Sequence, residues 1–234
     1  MAGLTASARR LGRGALDLLF PPACVACGAS GAFLCVACAG RLAPAAWPRC
    51  RRCWRPLQEP GTCTICRANP PPFDGLRAAF VYDARARVLV HALKYRGMTA
   101  LAPPMASLMA RALRGSVEAE AIVPVPLAGR RRRTRGYNQA EVLARALGEE
   151  LGLPVAPRAL RRTRETAPQA RAADSNARRR NVEGAFEAAA DAAGRRLMLV
   201  DDVTTTGATL SACARALREA GAASVWAVAF ARED

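Results

Sequence analysis

Residues 197–210, LMLVDDVTTTGATL, hold the densest set of side chains able to do chemistry in this chain. Leu197–Val200 is a short apolar run that reads as a buried strand. Asp201 and Asp202 follow at its C-terminal end, the edge at which open α/β sheets bind ligands. Two adjacent carboxylates repel unless donors or positive charge come between them, as a sugar diol or a metal-bound ligand would. Thr204, Thr205, Thr206, Gly207 and Thr209 then turn into a helix, bringing hydroxyls and backbone N–H groups to its positive end. That combination suits a phosphate monoester. Diol-holding acids followed by a phosphate cradle describe the two ends of a ribose 5-phosphate. The plainer alternative is a solvated strand end with an ordinary helix cap; strand, turn and helix in this order favour the ligand site. There is no Gly-x-x-x-x-Gly-Lys and no dinucleotide fingerprint, which excludes Walker-type and Rossmann-type phosphate binding.

A second chemistry lies near the start of the chain. Eight of the nine cysteines form four C-x-x-C pairs: Cys24/Cys27, Cys35/Cys38, Cys50/Cys53 and Cys63/Cys66. Two thiolates three positions apart share one zinc on a tight knuckle, and two knuckles complete a tetrahedral site, so the eight imply two structural zincs. Apolar residues are too sparse in this segment to hold it without metal, which supplies folding free energy directly. A disulfide scaffold conflicts with the lack of an export signal, and a thioredoxin-like redox motif would be a single pair. Spacing alone leaves open which knuckles pair, with consecutive pairing the simplest. Cys213 sits in a helical pattern as a small core residue, and His91, the only histidine, reads as a packed or surface residue.

The 234 residues suffice for one α/β domain and one small module. A net charge of +16 points to polyanionic partners, although arginine in place of all but one lysine, in an alanine-rich chain, also reflects compositional bias. Residues 130–180 carry fourteen arginines against five acids, +9 of that total, which favours an anion-binding face over a merely solvated one. No apolar run is long enough to span a membrane, and the stretch after Arg9, Arg10 and Arg13 lacks a cleavage site. The expected location is cytoplasmic, with reduced thiols.

Proline-rich ANPPPF (68–73) predicts a boundary between an N-terminal helix with a double zinc ribbon (1–70) and an α/β domain (71–234). In the second part the pattern predicts strands at 76–82, 121–127, around 154–160, at 195–201 and at 225–230. Helices are expected at 84–95, 101–114, from near Asn138 and at 208–220, with a basic loop at 129–139 and an unpatterned arginine-rich stretch at 161–181. This alternation implies a doubly wound, mostly parallel sheet.

The segment VDDVTTTGAT resembles the motif by which type I phosphoribosyltransferases bind 5-phosphoribosyl 1-pyrophosphate (PRPP). The order of four C-x-x-C pairs, LKYRG (93–97), PVPL followed by RGYNQ, TxxQ with a downstream RxxN, and VDDVTTTGAT is similar to the ComF family of competence-associated, phosphoribosyltransferase-like proteins over nearly the whole chain. By that resemblance Asp201 and Asp202 hold the ribose hydroxyls, and Thr205, Thr206, Gly207, Ala208 and Thr209 wrap the 5-phosphate. Arg135, Gly136, Tyr137, Asn138 and Gln139 match the pyrophosphate loop, Lys94 and Arg96 complete the anionic pocket, and Arg164, Thr166, Gln169, Arg178 and Asn181 lie on a closing loop. Asp201, Asp202 and Arg135 are the implied catalytic residues, with Mg²⁺ accompanying PRPP. The resemblance further implies a role in DNA uptake, contact with single-stranded DNA, with Trp47, Trp54 or Tyr137 to stack on bases, and DNA-uptake or helicase partner proteins. The alternatives are an active phosphoribosyltransferase of nucleotide or nucleobase metabolism and a PRPP-sensing regulator. No segment identifies an acceptor.

Overall fold

The computed structural model describes residues 21–164 and 182–234. The expected N-terminal helix and Thr166, Gln169, Arg178 and Asn181 lie outside these residues. The chain divides into two compact units, the first ending at Leu42 and the second beginning at Ala43.

In the first unit the backbone is organised by the cysteines. Cys35 caps a single helical turn, α1 (Val36–Ala39), its sulfur accepting from the Cys38 N–H. Among the described residues of this unit only Cys24, Leu34 and Leu42 are buried, too little apolar surface to hold it by the hydrophobic effect.

The first helix of the second unit is short, α2 (Thr64–Ala68), and the unit continues as α/β. Its elements are β1 (Gly75–Val81), α3 (Ala84–Tyr95), α4 (Ala102–Leu113), β2 (Ala121–Pro124), α5 (Gly129–Arg135), α6 (Gln139–Leu151), β3 (Leu160–Arg162), β4 (Phe186–Ala188), β5 (Arg196–Thr204), α7 (Ala208–Glu219) and β6 (Ser224–Arg232). The main sheet has the order β1-β6-β5-β2, and every pairing in it is parallel. Leu197, Met198, Leu199 and Val200 are all buried, as a strand covered on both faces requires. Leu197 and Leu199 join the core made with Leu210, Cys213, Ala214 and Leu217 of α7. Gly75 permits the close approach of β1 and β6, because a Cβ there would meet the Trp226 ring at 2.3 Å.

Three features differ from the sequence-based expectation. The basic segment is helical over α5 and ends at Gly136, whose φ of 81° is left-handed and accessible to glycine without strain. Around 154–160 the chain makes one bridge to β2, through Val155, and no regular strand forms until Leu160, which pairs with β4 outside the main sheet. Pro154 and Pro157 lack the N–H groups that would extend a ladder there. Finally, the second cysteine segment folds with the α/β part: Ala45 N–H donates to Ala79 O at 3.0 Å, Val81 N–H to Ala43 O at 2.9 Å, and Leu76 N–H to Arg52 O at 2.7 Å. The 43–52 stretch thus covers the outer edge of β1, which would otherwise expose unpaired backbone groups.

Candidate functional site

β5 carries its two acids to the end of the central strands. Asp202 is buried and its Oδ2 lies 2.6 Å from Lys94 Nζ at the end of α3. Asp201 accepts the Asp202 N–H through its own carboxylate at 2.8 Å. Burial and then the neighbouring Asp202 charge push the Asp201 carboxyl well above the usual carboxylate range. Burial also opposes ionisation of Asp202, but the Lys94 ammonium, helped by hydrogen bonds from Asp201, Lys94 and Gln139, outweighs it and holds this carboxyl low. Lys94 is held above its usual value because the two carboxylates overcome its own desolvation. Lys94 therefore favours the ionised form of Asp202, while Asp201 gives up its proton less readily than an ordinary carboxyl.

Beyond Thr204 the chain reverses into α7. Gly207 has φ 76°, a left-handed conformation, and precedes the first helical residue. The Thr206 hydroxyl accepts the Ala208 N–H at 3.3 Å, occupying one N–H of the turn and turning that hydroxyl toward the helix. On the facing sequence element, Arg135 donates to Gln139 Oε1, its guanidinium stands 5.0 Å from the Tyr95 ring centre, and the Tyr137 hydroxyl donates to Leu93 O.

Lys94, Arg135, Gln139, Asp201, Asp202, Thr205, Gly207, Ala208 and Thr209 line one cavity of about 1120 Å³. Arg130, Arg131, Thr134, Tyr137 and Arg162 complete its basic and hydroxylated wall. Arg96, Asn138 and Thr206 are not in the lining. Arg96 is exposed and stands just past the helix end as its C-cap, outside the regular spacing that carries Lys94. Asn138 spends its side chain on the backbone, donating to Val125 O at 2.9 Å and accepting the Ala140 N–H at 3.1 Å, so it caps α6. Tyr95, 66% exposed, lines the cavity although only its neighbours in LKYRG were singled out from the sequence. The short aromatic-basic motif was the available signal. His91 packs at a tilt against Tyr95 with ring centres 4.8 Å apart and lies outside the lining.

The eight paired cysteines form two groups, Cys24/Cys27/Cys35/Cys38 and Cys50/Cys53/Cys63/Cys66, with the sulfurs of each group within 4.8 Å of one another. Consecutive knuckles therefore pair. Four soft donors at this spacing fit tetrahedral zinc and leave no position for water. The thiols themselves show why a dication belongs there. Burial opposes ionisation of Cys24, yet N–H groups of Cys35, Ala26 and Cys27 outweigh it and bring the thiol down to about 6, while hydrogen bonding with Cys27 and Cys35 drives Cys38 up to about 12. In the second group Cys50 falls to about 7 for the same reason, and burial followed by the Cys53 charge pushes Cys66 up. The first thiolate forms easily and the last does not, unless a cation relieves the repulsion. Among the described residues, no helix is long and apolar enough to cross a membrane.

A parallel α/β fold with a carboxylate pair and a hydroxyl-rich turn at one strand end, alongside two four-cysteine groups, defines a phosphoribosyltransferase-like domain joined to a double zinc ribbon. Residues 15–67 match the double zinc ribbon domain and residues 102–233 the phosphoribosyl transferase domain. The DNA utilization protein YhgH of Salmonella typhimurium is 34% identical over 183 residues, covering 75% of this chain and 80% of that one. Competence protein F of Haemophilus influenzae is 31% identical over 210 residues, covering 85% and 90%. Among solved structures, the glutamine PRPP amidotransferase from B. subtilis is 22% identical with a TM-score of 0.39, over 55% of this chain and 26% of that one. The chain belongs to the ComF family, whose members pair a double zinc ribbon with a phosphoribosyltransferase domain.

Proposed function

We propose that the cavity binds PRPP with Mg²⁺ and that the protein serves DNA uptake, in contact with single-stranded DNA. One observation carries the ligand reading: Asp201, Asp202 and the turn Thr205–Thr209 share a single cavity with Lys94 and Arg135. The acids accept the ribose hydroxyls, the turn receives the 5-phosphate, and Arg135 meets the pyrophosphate. The oxygen-only donor set of the ligand and the two carboxylates suits Mg²⁺, which would neutralise the pyrophosphate oxygens when bound.

Transfer from PRPP breaks the bond between the anomeric carbon and the pyrophosphate oxygen, leaving positive charge on the ring and negative charge on the departing group. Arg135 stabilises the departing group, and the carboxylate pair fixes the ring and supports its positive charge. His91 lies outside the lining, so no general base from a histidine enters this account. The nucleic-acid role draws on the relatives named for DNA utilization and competence and on the exposed arginines of α5, Arg131, Arg132 and Arg133, beside the cavity. Trp54 is engaged elsewhere, its indole N–H donating to Ala78 O at 3.1 Å and its ring stacked with Arg77. Of the other two expected rings, Trp47 is 46% exposed and Tyr137 lines the cavity with its hydroxyl held by Leu93 O, and Tyr95, 66% exposed, adds a further ring for a base.

Calorimetry with Mg-PRPP on zinc-loaded protein tests the site. Asp201→Asn with Asp202→Asn is expected to abolish binding while both zincs remain, and unchanged affinity would place the ligand elsewhere. Pyrophosphate release in the presence of mixed bases and amines then separates an enzyme from a PRPP sensor.

A further inference from the structure

We infer that Arg49 and Arg52, on the second zinc knuckle, are positioning residues for the phosphate turn, held in place by the metal at Cys50, Cys53, Cys63 and Cys66. The inference deepens the reading of Thr205–Thr209 as a phosphate cradle and rests on it.

The knuckle reads Arg49-Cys50-Arg51-Arg52-Cys53-Trp54, and two of its arginines reach the ligand loop by separate routes. Arg52 donates through Nη2 to the carbonyls of Pro71 and Phe73 at 3.0 and 2.8 Å, while its own carbonyl accepts the Leu76 N–H at 2.7 Å. Phe73 and Leu76 are fully buried, and a Cβ placed on Gly207 would lie 3.8 Å from Leu76 Cδ1 and 3.9 Å from Phe73 Cζ. These two side chains are thus the floor under the turn, and Arg52 fixes the backbone that carries them.

The second route runs through charge. Arg49, 4% exposed, binds Asp234 through both Nη atoms at 2.7 and 2.6 Å and donates to the carbonyl of Trp54, next to Cys53, at 3.0 Å. Asp234 also lies 3.5 Å from the buried Arg232, which stands in register with Thr204, and the Glu233 N–H donates to Thr204 O at 2.9 Å. Thr204 is the residue from which the turn departs. Neither arginine touches the cavity. Their geometry depends on a knuckle whose four cysteines are drawn together at one metal site, so metal loading is the element through which both routes would act on the turn.

The test uses the full chain loaded with zinc. Amide hydrogen exchange is followed in peptides spanning 203–210, together with zinc content and Mg-PRPP affinity. Arg52→Met and Arg49→Met are expected to keep two zincs per chain, speed exchange across the turn and weaken Mg-PRPP by about tenfold, in the usual range of coupling between sites. Arg52→Lys, whose ammonium can still bond the two carbonyls, is expected to recover most of both losses, which a general loss of stability would not allow. Cys53→Ser should speed exchange in the turn, whereas Cys27→Ser should leave it unchanged. Exchange and affinity within twofold of wild type in Arg52→Met, with the second metal present, would overturn the inference. Should Arg49→Met fail to fold, the Arg52 pair decides. Wild-type protein that never binds Mg-PRPP sinks the ligand reading alone, because the exchange measurement still judges the strut.

Discussion

The two cysteine groups are wired alike and set in different surroundings. In each, the third cysteine's N–H donates to the first sulfur (Cys35 to Cys24 at 3.5 Å, Cys63 to Cys50 at 3.3 Å), and the fourth N–H donates to the third sulfur at 3.4 Å. In each, the second and third sulfurs approach closely, at 3.8 and 3.7 Å. The first group belongs to a unit that ends at Leu42, while the second belongs to the α/β unit, where Trp54 bonds the edge strand β1, Arg52 the residues just before it, and Arg49 the Asp234 that follows β6. Local spacing makes a knuckle; what the knuckle supports is decided by the residues between and beside its cysteines.

The largest expected effect follows from this contrast. Cys66→Ser should remove one zinc and lower the melting temperature of the α/β unit by roughly 10 °C or more, since structural metal is folding free energy. Cys38→Ser should also remove one zinc but leave that melting transition within about 2 °C. Equal losses from the two variants would break the distinction. Metal analysis and calorimetric melting provide both readouts.

Next come the two acids, neighbours with opposite stability roles. Asp202→Asn strands the largely buried Lys94 charge and should cost about 3 kcal/mol at neutral pH. Asp202 ionises below its ordinary value, so its contribution is present above that value and fades as pH falls through the depressed one. Asp201 is the reverse: its carboxyl favours the folded state at low pH and loses that contribution as pH rises through its elevated folded value. Asp201→Asn should therefore stabilise the free protein at neutral pH while abolishing ligand binding, a trade expected where a site stores unfavourable electrostatics. Thermal melts from pH 4 to 8 check both signs, and a destabilised Asp201→Asn would contradict the upward shift of the Asp201 carboxyl. The smallest effect is expected at Val36, 89% exposed on α1, where Val36→Ser should change stability by under about 0.5 kcal/mol. Denaturant titration of the first unit would detect a larger role.

Much of this was legible in the sequence because the signals were short-range. The apolar run before Asp201, the helix 84–95 and the C-x-x-C pairs each encode structure within a few residues, and the structure has the helix as Ala84–Tyr95. What could not be read was long-range. Consecutive pairing of the knuckles became visible only from the sulfur positions. Nothing local says that Lys94 meets Asp202, more than a hundred residues away, or that Arg96 turns outward while Tyr95 faces the cavity. The RGYNQ resemblance matches Asn138 to a pyrophosphate loop, and only the folded chain shows its amide capping α6 and holding Val125. Proline content places a boundary near residue 70, close to the end of the double zinc ribbon match at 67, while the hydrogen bonds of the second knuckle segment to β1 are visible only in the folded chain.

The most direct measurement is a crystal structure of the zinc-loaded protein grown with Mg-PRPP. The account predicts ribose hydroxyls on Asp201 and Asp202, the 5-phosphate enclosed by Thr205–Thr209, and the pyrophosphate toward Arg135. Density for the ligand away from these residues, or an empty cavity at saturating millimolar ligand, would contradict it.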